Sequence, residues 1–303
     1  MLDVLIRAGC FIAIIVLGYV LRRIGLFKGD AFGMLSQIVL KLTLPASIVL
    51  SFASMEMEVS MLTLALLGFG GGILYLLAAY LINLKKTKSQ QAFEMLNLPG
   101  YNIGIFTMPF VQNFLGPVGV VTASIFDVGN AFVCLGGSYG VASAIKEGKG
   151  LSFKRIVKAL GTSVPFLVYL VMILVSLFRI PLPGPFLSFA EIIKNANAFL
   201  AMLMIGVGFK LNADKAYIGT IVKLVSIRYG IAVLVALAFY YLLPFDLEIR
   251  QTLVIMAFSP IGSAVPAFTA ELKEDVGLSS AINSICIVIS IVIIVALLSV
   301  MMV

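Results

Sequence analysis

Two stretches of the chain place proline, glycine and small polar side chains inside otherwise apolar runs. The candidate residues are Asn102, Thr107 and Pro109 in the first stretch and Ser259, Ser263 and Pro266 in the second. Proline lacks a backbone donor and clashes with the preceding turn, so each stretch predicts a broken helix. A helix that restarts after a break presents free N–H groups, which favour an anionic group such as a carboxylate. These residues therefore predict a substrate-binding site; the alternative is two proline kinks repaired by neighbouring hydroxyls.

Asp127 is the only acidic residue deep inside an apolar run, and Asn130 lies on the same helix face three residues later. An ionisable group at that depth is costly and is a functional candidate. We expect these two residues to bind a coupling ion, either a proton or a cation such as sodium. The alternative is a structural role for Asp127, paired with a buried lysine or arginine or with an amide at a helix break.

Lys41 and Arg228 are basic residues within apolar runs. Either could attract an anion along a pathway. Either could instead extend its charge toward the membrane surface or pair with Asp127.

The elements that carry these residues belong to a membrane protein. Of 303 residues, 61% are hydrophobic and 12% are charged, and the mean hydropathy is +1.15. A soluble domain is about half apolar and about a quarter charged. The chain has no histidine, which excludes Ser-His catalysis and zinc sites of the His-Glu-x-x-His type. The three cysteines lie in apolar runs, so no metal site and no cofactor is expected.

Ten apolar runs are long enough to cross a bilayer, which takes about 20 residues each. They cover residues 4–21, 32–52, 61–82, 93–115, 118–145, 156–178, 190–209, 217–243, 249–272 and 278–302. The sequence thus predicts an all-α polytopic membrane protein with ten transmembrane helices.

Basic residues support one orientation of these ten runs. With the N-terminus outside, fourteen lysines and arginines lie at inner connections and four at outer ones. Such a bias is typical of inner loops, and an even number of spans returns the C-terminus to the outside. The predicted location is the cytoplasmic membrane.

The two interrupted runs are the fourth and the ninth, five helices apart. An odd repeat unit inverts its second copy, so the sequence predicts two inverted five-helix repeats, residues 1–145 and 146–303. Matched interruptions in two such halves are typical of the substrate site of a secondary transporter.

The order and spacing of these motifs resemble the auxin efflux carrier family. The resemblance is carried by Leu44-Pro45, Asn102, Gly104, Pro109, Leu115-Gly116, Ser259-Pro260, Gly262, Pro266 and Phe268. It implies broken helices four and nine that cross at Pro109 and Pro266, an elevator-type mechanism, substrate contact at Asn102 and a possible homodimer. Prokaryotic members of the family are linked to small organic anions such as dicarboxylates. The long central loop of the plant members is absent between the fifth and sixth runs, and Thr107 stands where glycine is common.

The leading hypothesis is therefore a carrier of a small organic anion in the lipid bilayer, with no nucleic acid partner. A sodium- or proton-coupled symporter of another solute, with the related bile-acid symporter architecture, is the alternative. An intramembrane aspartyl protease would need a second deep acid beside Asp127, so an enzyme is not expected. A channel or a receptor stays open.

Overall fold

A computed structural model of the chain describes residues 2–148, 152–209 and 217–301. The described residues are helical, and no strand occurs among them. Of the fourteen basic residues predicted to lie at inner connections, three are outside these ranges: Lys149, Lys210 and Lys215.

The α-helices follow one another with short connections. In chain order they are α1 (Leu2–Arg23), α2 (Ala31–Ile38), α3 (Leu44–Ala53), α4 (Thr63–Ile82), α5 (Lys88–Asn97), α6 (Met108–Phe114), α7 (Gly116–Phe132), α8 (Ser138–Glu147), α9 (Phe153–Thr162), α10 (Val164–Leu177), α11 (Gly184–Lys194), α12 (Asn197–Gly208), α13 (Ile218–Leu242), α14 (Leu247–Ala257), α15 (Val265–Glu271) and α16 (Val276–Met301).

Six continuous helical stretches among the described residues are long and apolar enough to cross a membrane. They are Ala31–Ala53, Val59–Ile82, Gly116–Glu147, Gly184–Gly208, Ile218–Leu242 and Val276–Met301. The pair α9 and α10 makes a seventh if it is one span, but it bends by 76°. A multi-pass helical membrane protein is thus confirmed, while ten spans and their inverted repeat remain predictions.

The predicted run 156–178 is not one straight helix. It bends at Ser163, whose backbone is extended, just before Pro165 in the first turn of α10. Pro165 has no N–H for the carbonyl four residues before it, and its ring would clash with that carbonyl in a continuous helix, which explains why α9 ends there.

The predicted break in the fourth run is present, but it lies at residues 98–102, before Pro109. The turn before it, Ile103–Thr107, is π-helical and continues into α6. The same arrangement precedes Pro45, where Val39–Thr43 is π-helical. A wider turn accommodates the proline ring and its missing donor without ending the helix.

The helices pack into two groups. The α1 group comprises α1, α2, α3, α10, α11 and α12, and the α7 group comprises α4 to α8 and α13 to α16, while α9 contacts both α10 and α7. Glycines allow close backbone approach within each group, which is typical of helix packing in membranes. A Cβ on Gly206 of α12 would overlap the Ile15 carbonyl of α1, and one on Gly129 of α7 would overlap the Ala65 carbonyl of α4. Each group is therefore tightly packed, and α7 contacts α3 and α10 across the boundary between the groups.

Candidate substrate site at the crossing of two broken helices

The chain is interrupted between α5 and the π-helical turn before α6, and again between α14 and α15. The first interruption covers residues 98–102, and the second covers residues 258–264. The two cross where the backbone N–H of Asn102 donates to the carbonyl of Pro260 over 2.9 Å. The crossing thus lies at Asn102 and Pro260. It does not lie at Pro109 and Pro266, which stand in the first turns of α6 and α15, where a missing donor is tolerated.

Gly100 determines the path of the first interruption. Its φ is +82°, a conformation that residues with a side chain rarely adopt. A Cβ there would also overlap the sulfur of Cys134. The chain therefore needs glycine at this point to turn toward Asn102.

Arg228 connects both interruptions from α13. Its guanidinium donates to the carbonyl oxygens of Leu98 (2.5 Å), Gly100 (2.8 Å) and Ser259 (2.7 Å). The side chain is 1% exposed and lies 5.0 Å from the centre of the Tyr75 ring. Its hydrogen bonds go to carbonyls that the breaks leave unpaired, so Arg228 links the two interruptions. The role of Arg228 as an anion attractor stays a prediction.

Thr107 and Ser259 also hold the crossing. Their hydroxyl oxygens are 2.6 Å apart, and both side chains are fully buried. The Thr107 hydroxyl donates further to the carbonyl of Asn102 at 3.2 Å. Pro109 is buried beside them. These three residues lie outside the two cavities described next, since none of them is part of a cavity wall.

Two cavities meet at the crossing, and Asn102 and Ser263 line both. The larger, of about 330 Å³, is bounded by the α1–α2 connection, α12, α15 and α16. Pro266 lines it as well, and so do Ser280 and Asn283 of α16. The two charged residues in its wall are engaged locally. Arg22 donates to the Val207 carbonyl (2.8 Å), and Asp30 accepts from the Gly33 N–H (3.0 Å). The wall of this cavity therefore carries one guanidinium and one carboxylate, together with uncharged polar side chains such as Asn102 and Ser263.

The smaller cavity, of about 200 Å³, contains Asp127. One carboxylate oxygen accepts from the Asn130 amide at 2.7 Å, and the other accepts from the Tyr169 hydroxyl at 3.2 Å. Asn130 in turn binds both backbone groups of Tyr101, accepting from its N–H (3.0 Å) and donating to its carbonyl (2.8 Å). Asp127 thus pairs with neutral groups rather than with the basic partner of the alternative reading, and it is connected to the residue next to Asn102.

Lys41 lies away from both cavities. It is exposed on the π-helical turn of the α1 group, and its ammonium donates to the Gln37 side chain at 3.4 Å. The prediction that it attracts an anion into the pathway is therefore corrected. A flexible lysine on an outer helix face can extend to the membrane surface instead.

Sequence reasoning missed Tyr169 and Asn283. Tyr169 is one of two polar side chains in the apolar helix α10, and a tyrosine there is also typical of a lipid-facing aromatic. Asn283 is an amide in the apolar helix α16, and its Oδ1 is buried without a hydrogen-bond partner. The sequence signal for Asn283 was its side-chain amide within an apolar membrane-spanning run, because polar groups at that depth often have a function.

The comparison with known families agrees with this geometry. Residues 10–147 match the family model described as Membrane transport protein. That family model is the membrane transport domain of the auxin efflux carrier family, and the first part of this chain is similar to it. The match to a family of membrane transporters and the apolar helices together support a multi-pass membrane protein, and they are consistent with a transporter. No curated protein matches the sequence.

Proposed function

We propose that the protein is a secondary active transporter that moves a small organic anion, such as a mono- or dicarboxylate, across the cytoplasmic membrane. The observation that carries the proposal is the crossing of two interrupted helices, with Asn102 and Ser263 lining cavities on either side. The π-helical turn that leads into α6 begins right after Asn102, and α15 begins two residues after Ser263. Restarting helices of this kind present backbone donors suited to a carboxylate.

The mechanism we propose is elevator-type alternating access, in which the α7 group moves against the α1 group. Both cavities lie on the boundary between the groups. The larger one has walls from α12 and α16, and the smaller one has walls from α10 and α7. A solute held at Asn102 would travel with the α7 group, because the crossing belongs to that group.

Ten spans in two inverted repeats, residues 1–145 and 146–303, complete this proposal. The seven spans above would be joined by α1 and by the interrupted pairs α5 with α6 and α14 with α15. Both termini would lie outside. The homodimer stays a proposal that rests on the family resemblance.

A ligand panel tests the substrate class. Thermal stability of the purified protein is measured with mono- and dicarboxylates, and transport of the best ligand is then measured in liposomes. Asn102→Ala is expected to weaken binding by roughly tenfold or more, because one or two hydrogen bonds to a charged group are lost. Asn113→Ala is the matched control. Asn113 is exposed on α6, and its amide donates to the Pro109 carbonyl, away from both cavities. Failure of every anion to bind would refute the substrate class, and unchanged binding and transport in Asn102→Ala would refute the site.

Asp127 favours a second candidate, a symporter coupled to protons or sodium. A carboxylate beside the crossing repels an anionic solute unless a proton or a cation neutralises it. Uptake into liposomes under imposed proton and sodium gradients separates coupled from uncoupled transport. If Asp127→Asn leaves the response to both gradients unchanged, Asp127 is not the coupling site.

A further inference from the structure

Tyr169 joins the two helix groups at the one acid of the smaller cavity. Its hydroxyl donates to Asp127 over 3.2 Å, from α10 of the α1 group to α7 of the α7 group. Tyr169 is 1% exposed, so water does not compete freely for this bond. Movement between the groups must therefore break it.

A second polar bond across the boundary offers a comparison. The Asn197 amide of α12 donates to the Gln112 side chain of α6 at 2.9 Å. Both of its partners are neutral at any working pH, so its strength does not depend on an ion. The Tyr169 bond differs, because a hydrogen bond to a charged carboxylate is about twice as strong as one between neutral groups.

The surroundings of Asp127 leave its charge open to neutralisation. Among the residues that the structure describes, the titratable groups that line the cavity with it are Tyr101, Cys134 and Tyr169, and no lysine or arginine lines it. The nearest guanidinium on the crossing, that of Arg228, is bound to the Gly100 carbonyl. A proton or a cation that enters this cavity therefore meets the carboxylate without a competing ion pair.

We infer that Tyr169 is a positioning residue that couples ion occupancy of Asp127 to movement between the two helix groups. This inference rests on the proposed function. With Asp127 charged and empty, the Tyr169 hydroxyl holds the groups in register. An ion on Asp127 takes up the charge, weakens this bond and releases the α7 group. The other carboxylate oxygen of Asp127 accepts from Asn130, which binds the backbone of Tyr101. Ion binding at Asp127 therefore also affects the hydrogen bonds that hold the residue next to Asn102.

The test needs no knowledge of the solute. Cys134 lines the same cavity, so its rate of labelling by methyl methanethiosulfonate, read by peptide mass spectrometry on the full chain, reports opening at the boundary. Tyr169→Phe removes only the hydroxyl and is expected to raise this rate by about tenfold, as for the loss of one hydrogen bond to a charged group. The control is Tyr80→Phe, which removes a hydroxyl from the exposed face of α4 and should leave the rate unchanged.

A double-mutant comparison separates coupling from a merely structural role. In the Asp127→Asn background the charge is absent, so Tyr169→Phe should change the rate by less than about twofold. An equal change in both backgrounds, or no change in either, would overturn the inference. Because labelling requires no substrate, these results stand apart from the anion panel, and either proposal can fail while the other survives.

Discussion

Replacing Arg228 by methionine separates a structural from a transport role for this side chain, which binds both interruptions. Arg228→Met keeps much of the side-chain volume and leaves the carbonyls of Leu98, Gly100 and Ser259 without their donor. At about 1 kcal/mol for each lost bond the cost is roughly 3 kcal/mol, within the range for breaking buried polar pairs. For a chain of this size that corresponds to a fall in Tm of about 5 °C or more.

The assay is thermal unfolding of the detergent-solubilised protein, followed by size-exclusion chromatography with fluorescence detection. Arg228→Lys is the informative companion. A lysine keeps the charge but lacks the planar fork that binds several carbonyls at once, so it should restore only part of the loss. Transport of the best anion is measured in parallel.

An unchanged Tm in Arg228→Met together with a raised KM for the anion would refute the structural role of Arg228 at the crossing. That pair of results would return Arg228 to the role of an anion attractor. A lowered Tm in both variants, largest for methionine, supports the assignment to the crossing.

Two further predictions concern close backbone approach. Gly206→Leu should strongly reduce the yield of folded protein, because the side chain would overlap the Ile15 carbonyl, whereas Gly70→Ala, in open space, should behave as wild type in the same chromatography. Gly100→Ala should lower the Tm by about 2 °C or more, since it forces a strained positive φ and meets the Cys134 sulfur. A Tm for Gly100→Ala equal to wild type would contradict the described path at the interruption.

The positions of the interruptions could be predicted from sequence only approximately. Proline and glycine indicate where a helix is weak, and Asn102 and Ser263 do line the cavities. Which proline breaks the helix depends on the surroundings, however. Pro109 follows a π-helical turn that accommodates it, and such a turn leaves no clear signature in the residues themselves.

The partners of the polar groups could not be predicted at all. Arg228 binds carbonyls as far as 130 residues away along the chain, and backbone carbonyls are the same in every sequence. Asp127 was found because a deep acid is rare, but its partner Tyr169 comes from another helix. Composition therefore indicated which side chains are unusual, while their roles followed from tertiary contacts.

The reach of Arg228 also bears on biosynthesis. Leu98 and Gly100 are translated well before α13. Until α13 is made, their carbonyls lack the Arg228 guanidinium that donates to them in the folded protein. Unpaired backbone groups are costly in lipid, so water or the insertion machinery must satisfy them until that helix arrives. A nascent chain released before α13 would lack this donor, and the two halves of the polypeptide depend on each other to complete their fold.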